Sequence, residues 1–487
     1  MLNDYFTSKN INYNLYSSFI IKQYIETNKT LKDYAALELL KNQASKELLI
    51  ILSSLLNKEN KKLSFNILYI LITISEFDET EKIFSLDETI CCNIASFLGN
   101  NKNDEIFLHN GILLIRNIIM NKNICDIFNK YKITKFFEEI YEKKLLDNKF
   151  MEYLCYSICT IIHYEMKKKE KEINISILLP CVKILATQIR PNYSAKLLYK
   201  YIYYLYELTY TDNSEIYYEI INCKIHKDIM NIYPIIYEKK ELLKQKYQEK
   251  ILSNDEISKK EISKNLEDSE SYYTSCLVIL KTLGKLMHLD DDIITQTLLN
   301  SNIHNFLKDV LHSNDIRAIK NACFCLSNIC GGICGHISYL LDNNCLYDLI
   351  NISKNIYDAM EFSKEKNDYY SQLKDTFREI NFVFATAIQN LLFEKVAPLA
   401  QCNNYTVVII LVKGLEYFSD FKNQDLIKLI IFALYKLISI NYLLKDNICD
   451  IMEKYGLKES LEKLMLNKDW EVWMYVDALY NSIFGLI

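Results

Sequence analysis

The sequence predicts an all-α protein assembled from repeated helical units, and three observations support this. The chain of 487 residues contains 9 Gly and 4 Pro, far below the usual shares of about 7% and about 5%. Apolar residues make up 50% of the chain, and similar segments recur along it. A sheet protein of this length would need many more turn-forming residues, so we expect packed helices.

The repeat is clearest in two segments. Residues 123–140 have the sequence NICDIFNKYKITKFFEEI, and residues 447–464 have NICDIMEKYGLKESLEKL, identical at eight positions. A weaker relative occupies residues 213–232, and an apolar, helix-like run precedes each of the three. The predicted unit is a long apolar helix, a short connector, a short helix and a second amphipathic helix.

The period of the repeat follows from equivalent points in the long helices. Successive points are separated by 44, 43, 47, 78 and 43 residues and lie at Thr73, Asn117, Thr160, Glu207, Lys285 and Asn328. The interval of 78 residues corresponds to one repeat plus roughly 35 inserted residues. A helical period of about 40–47 residues is typical of armadillo and HEAT solenoids, in which each unit needs neighbours to cover its apolar face.

Two regions interrupt this period. Residues 238–270 are charged and poor in apolar residues, which predicts either a solvated helix or disorder. A second insertion lies near residues 354–378. We expect residues 1–59 to form an N-terminal helical segment and residues 60–487 to form one elongated repeat domain.

Charge and composition also limit the partners. The net charge is -5, with 57 basic and 62 acidic residues interspersed, so we expect neither a nucleic acid nor a membrane as partner. The start, MLNDYFTSKN, lacks the features of a signal peptide, and no run reaches the roughly 18 apolar residues of a spanning helix. Fifteen cysteines are then expected to be reduced thiols in the cytoplasm or nucleus.

The stretch NACFCLSNICGG at residues 321–332 has two interpretations. Its cysteines could bind a metal, or they could pack as small apolar side chains at the end of a helix. We favour packing, because Gly331-Gly332 would end the helix in a left-handed conformation and Cys325 would point away from the face of Cys323 and Cys330. No catalytic motif or phosphate-binding glycine loop is present, so we expect neither an enzyme nor a cofactor.

Residues 319–352 resemble an armadillo repeat of importin-α, the family of nuclear import adaptors. The family's third helix follows Ala-Cys-Trp-x-Leu-Ser-Asn-Ile, and residues 322–329 are ACFCLSNI. The resemblance covers roughly residues 60–487. It implies a right-handed armadillo-repeat superhelical solenoid of about nine to ten repeats. It also implies an adaptor, cytoplasmic and nuclear, that binds basic nuclear-localisation-signal peptides in a concave groove. The alternative is an armadillo scaffold for protein–protein interaction that binds no such signal.

The resemblance also implies which residues bind the peptide. In the family, a Trp and an Asn one helical turn apart recur along the groove. The Trp rings hold lysine stems and the Asn amides bind the peptide backbone. The matching pairs in this sequence are Tyr69 with Thr73, Leu113 with Asn117, Tyr156 with Thr160, Tyr203 with Glu207, and Phe324 with Asn328. We call these ten residues the long-helix row. Singly, the aromatic residues could equally be core residues, whereas an amide on an apolar helix face needs a polar partner.

The implied partners are basic cargo peptides, importin-β and an export receptor. Residues 1–60 contain no Arg, so an importin-β-binding segment is not recognisable. Asn121 replaces an acidic residue of the family. Charged residues of opposite sign lie in different parts of the implied groove. Acidic residues near the N-terminal half favour a cationic ligand there, and lysines make the middle and far part of the groove basic. The acidic residues are Glu76, Asp78, Glu79 and Glu207, and the lysines are Lys281, Lys285 and Lys436.

Overall fold

A computed structural model describes most of the chain, in ten segments. They are residues 43–56, 60–76, 88–143, 147–252, 259–288, 291–363, 368–419, 423–439, 442–466 and 469–485. Every regular element within these segments is a helix. The chain divides into two compact units, which we describe separately. The N-terminal unit comprises residues 1–190 with 200–223, and the C-terminal unit comprises residues 191–199 with 224–487.

The N-terminal unit contains short and long helices in alternation. In chain order they are α1 (Gln43–Leu55), α2 (Lys61–Ser75), α3 (Glu88–Asn100), α4 (Glu105–Ile118), α5 (Lys122–Lys130), α6 (Ile133–Glu142), α7 (Asn148–Met166), α8 (Ile175–Ala186), α9 (Ala195–Leu208, from residue 200 onward in this unit) and α10 (Ser214–Asn222). Single 3₁₀ turns lie at Glu170–Glu172 and Thr209–Thr211.

The C-terminal unit continues the same alternation. Its helices are α11 (Ile225–Leu252), α12 (Lys259–Leu286), α13 (Asp292–Asn300), α14 (Ile303–Leu311), α15 (Ile316–Gly331), α16 (Cys334–Asp342), α17 (Cys345–Phe362), α18 (Asp368–Asn390), α19 (Phe393–Phe418), α20 (Gln424–Ser439), α21 (Tyr442–Lys454), α22 (Leu457–Leu464) and α23 (Trp470–Phe484). Residues 402–405 break α19 into two helical parts.

Within each unit, long helices pack on long helices and second helices pack on second helices. In the N-terminal unit α2, α4 and α7 pack in succession, the second helices α6 and α8 pack on each other, and the short helix α10 packs on α8. In the C-terminal unit the two successions are α12, α15, α18, α20, α23 and α14, α17, α19, α22. The described residues include eight long helices in these layers, and α9 is a ninth. The predicted all-α, armadillo-like repeat fold is confirmed.

A left-handed residue forms the corner between the short helix and the second helix of most repeats. Lys132 and Gly456, which occupy the same position in the two matching segments, have φ of 56° and 90°. Lys224, Asn302 and Asn344 form the corresponding corners with φ of 58°, 63° and 63°. Only Gly adopts this conformation without a steric cost, although Asn tolerates it well. The corner therefore recurs in the same backbone conformation although the residue that forms it differs.

Side chains one period apart contact each other. Lys61 and Asp104 are 43 residues apart and form an ion pair of 2.9 Å. Lys130 and Glu88 are 42 apart, Lys183 and Glu138 are 45 apart, and Lys428 and Glu471 are 43 apart. Exposed pairs of this kind contribute only about 0–1 kcal/mol each. They therefore indicate the register of stacking more than they stabilise it.

The apolar faces of the helices form the interior. In the cysteine-rich stretch, Cys323, Cys325 and Cys330 are all 0% exposed, and burial raises the pKa of each thiol. The described residues contain no group of three or more His, Cys, Asp or Glu side chains placed to bind a metal. Two details of the expectation were wrong. Cys325 packs inward and donates to Leu280 O at 3.2 Å, and Gly332 ends the helix with φ −80° rather than in the left-handed region.

The insertion at residues 238–270 is helical wherever it is described. It lengthens α11 and α12, which pack against each other. The second insertion likewise lengthens α17 and α18. None of the described helices is long and apolar enough to cross a membrane. Almost all of the predicted N-terminal segment, residues 1–59, lies outside the described residues.

We predict opposite effects for two Gly-to-Ala substitutions. A Cβ at Gly284 of α12 would lie 2.5 Å from the ring of Phe324 in α15, so Gly284→Ala should lower the free energy of unfolding by about 1–3 kcal/mol. A Cβ at Gly331 meets nothing within 4 Å, so Gly331→Ala should be neutral or stabilising. Urea unfolding of both variants tests this. Equal stability of the two would contradict the packing of α12 on α15.

We also predict that stability falls below pH 6.5. Burial, and secondarily Lys227, lowers the pKa of His226 to about 4. Because an unfolded His has a pKa of about 6.5, only the unfolded chain binds this proton between those values. The loss should reach about 3 kcal/mol near pH 4 and be absent above pH 6.5. His226→Gln should make the melting temperature less dependent on pH over this range, and an unchanged pH profile would contradict the assignment.

Candidate functional site

The long-helix row contains both partly exposed and buried residues. Its five first members, Tyr69, Leu113, Tyr156, Tyr203 and Phe324, are all partly exposed. None is fully buried, so the interpretation of these positions as ordinary core is not supported. Eight of the ten residues belong to the N-terminal unit, and Phe324 and Asn328 belong to the C-terminal unit. The eight residues on α2, α4, α7 and α9 are therefore considered together, and Phe324 and Asn328 separately.

The threonines of the row bond to their own helices. Thr73 Oγ1 donates to Tyr69 O at 3.0 Å, and Thr160 Oγ1 donates to Tyr156 O at 3.1 Å. Both side chains are buried at 6% exposure. A hydroxyl has a single donor, so neither threonine has a proton left for a peptide carbonyl. Each hydroxyl can therefore only accept a hydrogen bond from a peptide, and its burial limits access to it.

The asparagines of the row bond to the preceding long helix. Asn117 Nδ2 donates to Ser75 Oγ at 3.0 Å, and its Oδ1 accepts from Arg116 at 3.0 Å. Asn328 Nδ2 donates to Gly284 O at 2.8 Å. Each amide thus has the polar partner that its position requires, and the partner is a neighbouring repeat of the same chain.

Two further residues in the C-terminal unit act in the same way and were not predicted. Asn390 Nδ2 donates to Cys330 O at 2.9 Å. Lys436 Nζ donates to Gln389 O at 2.9 Å and to Leu391 O at 2.6 Å. The last carbonyls of a helix lack partners within it and carry partial negative charge, so an amide or an ammonium stabilises them. Lys436 was expected to make the ligand surface basic, but its ammonium group binds the carbonyls at the C-terminal end of α18.

Tyr156 lies beneath two cations of the chain itself. Lys200 Nζ is 3.4 Å from the centroid of its ring, and Arg116 Cζ is 5.0 Å from it. Arg116 Cζ also lies 5.6 Å from the ring of Tyr153. Within the described residues neither cation has a carboxylate partner within 4 Å, and Arg116 Nε has no hydrogen-bond partner. Burial lowers the pKa of Lys200. The ring expected to receive a ligand lysine is therefore already in contact with cations.

A group of tyrosines extends this surface along α9. Tyr203 and Tyr204 pack edge to face with centroids 5.5 Å apart, and Tyr206 and Tyr210 do so at 5.0 Å. Burial raises the pKa of Tyr204 to about 12, so its phenol stays neutral at physiological pH. Tyr210 is 46% exposed. Such rings offer rigid, amphipathic contact area at little conformational cost. We call Tyr156, Arg116, Lys200, the α9 residues Tyr203, Tyr204 and Tyr206, and Tyr210 of the following 3₁₀ turn the tyrosine face.

The other polar and charged residues named in the sequence analysis lie in different environments. Glu207 is partly exposed and makes no ion pair or hydrogen bond within the described part of the chain. Asp78 and Glu79 lie outside the described residues. Asn121 caps α5, its Oδ1 accepting from Asn123 N at 2.9 Å. In the C-terminal unit, Lys281 is exposed and Lys285 is partly exposed.

Comparisons with known proteins support the fold and leave the ligand open. No protein-family model and no curated protein matches the chain. The crystal structure of an engineered protein from the Northeast Structural Genomics Consortium is similar over 99% of this chain and 98% of its own, with 13% identity and a TM-score of 0.57. A designed armadillo repeat protein in complex with the peptide (KR)4 is similar over 62% of this chain and 99% of its own, with 14% identity and a TM-score of 0.42. The first similarity shows the fold alone, and the second is too low to support an argument.

We predict a structural role for Asn328. Asn328→Ala should lower the free energy of unfolding by about 1–2 kcal/mol, because it leaves Gly284 O without its donor. Asn328→Asp should cost more, since a carboxylate cannot donate and would face that carbonyl. Asn321→Ala is the control, as Asn321 donates to Arg317 O of its own helix. Urea unfolding that shows no loss for Asn328→Ala would contradict the role.

Proposed function

We propose that this chain is a protein-interaction scaffold whose tyrosine face binds an extended peptide that carries an acidic side chain. The observation that carries the proposal is the pair of cations over Tyr156, Lys200 at 3.4 Å and Arg116 at 5.0 Å, without a carboxylate partner among the described residues. The surrounding tyrosines supply apolar contact and neutral hydroxyl groups. The function is binding, and no catalytic step is part of it.

Coulomb's law favours an acidic over a basic ligand at Tyr156. A second cation about 5 Å from Lys200 or Arg116 would be repelled by about 3 kcal/mol at an effective dielectric constant of 20. A lysine stacked on a tyrosine gains only about 0.5–2 kcal/mol, so the repulsion prevails. A carboxylate at the same distance is attracted by a Coulomb energy of the same size. The cost of removing the carboxylate from water reduces this gain.

The second candidate is the import adaptor that the resemblance to importin-α implies. In this form the chain binds basic nuclear-localisation-signal peptides, acts in the cytoplasm and nucleus, and has importin-β and an export receptor as partners. Glu207, without an ion pair or hydrogen bond among the described residues, and the aromatic rings of Tyr69 and Tyr203 support it. A basic peptide would then have to use Tyr69 and Tyr203 and avoid Tyr156.

A peptide titration separates the two candidates. We predict that a labelled Glu-rich peptide binds more tightly than a Lys-rich signal peptide or a Gln-rich peptide of equal length, measured by fluorescence anisotropy. Lys200→Met, which removes the charge and keeps the apolar stem, should weaken the Glu-rich peptide about tenfold, corresponding to ~1.4 kcal/mol. The preference should diminish as salt is added.

Lys281→Met is the matched control, because Lys281 is an exposed lysine on the long helix α12 of the C-terminal unit. It should leave the affinity unchanged. Tighter binding of the Lys-rich peptide, lost in Glu207→Gln, would reject the acidic ligand in favour of the import adaptor. Absence of binding by all three peptides would reject peptide recognition by this face.

A further inference from the structure

A cavity of about 550 Å³ lies between α11 and α14 of the C-terminal unit. It is on the side of the second helices, whereas the tyrosine face is built from long helices. Its main lining residues are Met230, Tyr233, Tyr237, Glu238, Phe306 and Asp309. This volume falls within the range of about 300–1,000 Å³ that is usual for ligand sites.

Aromatic rings form one part of the lining. Tyr233 and Phe306 are perpendicular with centroids 5.1 Å apart, and Tyr233 and Tyr237 are parallel at 6.0 Å. Tyr233 is only 7% exposed, and its phenol oxygen has no hydrogen-bond partner in the described part of the chain. The hydroxyl is enclosed by protein, so Tyr233 contributes its ring to the lining and not a hydrogen bond.

Two carboxylates without partners form the other part. Glu238 and Asp309 are both exposed, and neither makes an ion pair or hydrogen bond among the described residues. Rings and carboxylates together match the requirements of a cation on an apolar stem. The ring faces attract the charge, and the carboxylates pair with it.

In the described part of the chain, none of the cations next to the cavity pairs with Glu238 or Asp309. On α11, Lys240 Nζ lies 4.2 Å from the ring of Tyr237, but it pairs with Glu241 at 2.7 Å and Asp315 at 3.9 Å. On α14, Lys308 pairs with Asp348 at 3.4 Å. Lys239 donates to Pro191 O, and His312 at the end of α14 lies 3.7 Å from Asp348. Glu238 and Asp309 therefore remain available to a cation from outside the chain.

We propose that the α11–α14 cavity binds a lysine or arginine side chain of a partner protein. The stem packs on Tyr237 and Phe306, and the ammonium or guanidinium group pairs with Glu238 and Asp309. This site differs from the tyrosine face in position and in the charge of its ligand, and it does not depend on the function proposed for that face. Two opposite charge preferences on one chain would suit a scaffold with two partners.

The methyl group of Met230, which lines the cavity and is 8% exposed, is a suitable probe. We would titrate the full chain, ¹³C-labelled at methionine methyls, with acetylated and amidated Gly-Lys-Gly and Gly-Arg-Gly. The Met230 resonance, assigned with Met230→Leu, should shift with a Kd on the order of 1 mM. Peptides with norleucine or glutamate at the central position should produce no shift.

Glu238→Gln combined with Asp309→Asn should weaken the response at least tenfold at an unchanged melting temperature. Glu394→Gln, an exposed carboxylate on α19, should leave it unchanged, as should Lys200→Met on the tyrosine face. An equal shift with norleucine would show a merely apolar cavity and overturn the proposal. A shift with the glutamate peptide, a shift with spermidine but neither cationic peptide, or no shift at all would also overturn it.

Discussion

Each repeat of this chain leaves one apolar face uncovered, and the rest of the structure depends on the next repeat covering it. The long helices of one layer therefore pack on one another, and the second helices do the same. Side-chain donors reinforce the contact where a long helix ends: Asn328, Asn390 and Lys436 each donate to carbonyls of the preceding long helix. The same contact that stabilises the stack consumes groups that otherwise would bind a ligand.

The proposed ligand surfaces consist of charged side chains that the packing between repeats does not pair. In the N-terminal unit, the threonine hydroxyls and the Asn117 amide bond within the chain, whereas Lys200 and Arg116 retain unneutralised charge over Tyr156. In the C-terminal unit, most cations near α11 and α14 have acidic partners, whereas Glu238 and Asp309 do not. The binding preferences we propose follow from these unpaired charges.

The period predicted the fold well, because packing of repeats constrains many positions at once. The helix end at Gly331 was predicted from the sequence, although Gly332 is not left-handed. The corner at Lys132 and Gly456 was not, because Lys132 carries no turn signal. The partners of Asn117 and Asn328 could not be identified from residues on a single helix. The signal was nevertheless present: Lys200 lies 44 residues after Tyr156, one period, and Lys61 and Asp104 are 43 apart. Comparing residues one period apart would have revealed the cations on the row. When a family's site residues are transferred one position at a time, the contacts that each position makes with the neighbouring repeat are left out.

The decisive measurement concerns Lys200. NMR of the chain labelled at lysine side chains would give the pKa of the Lys200 ammonium and the chemical shift of its ε-methylene. We expect a pKa below the ordinary value, because of burial, and an upfield ε-methylene shift, because Lys200 Nζ lies 3.4 Å from the centroid of the Tyr156 ring. Addition of the Glu-rich peptide should then raise that pKa. An ordinary pKa, no ring-current shift and no response to the peptide would contradict the proposed role of Lys200.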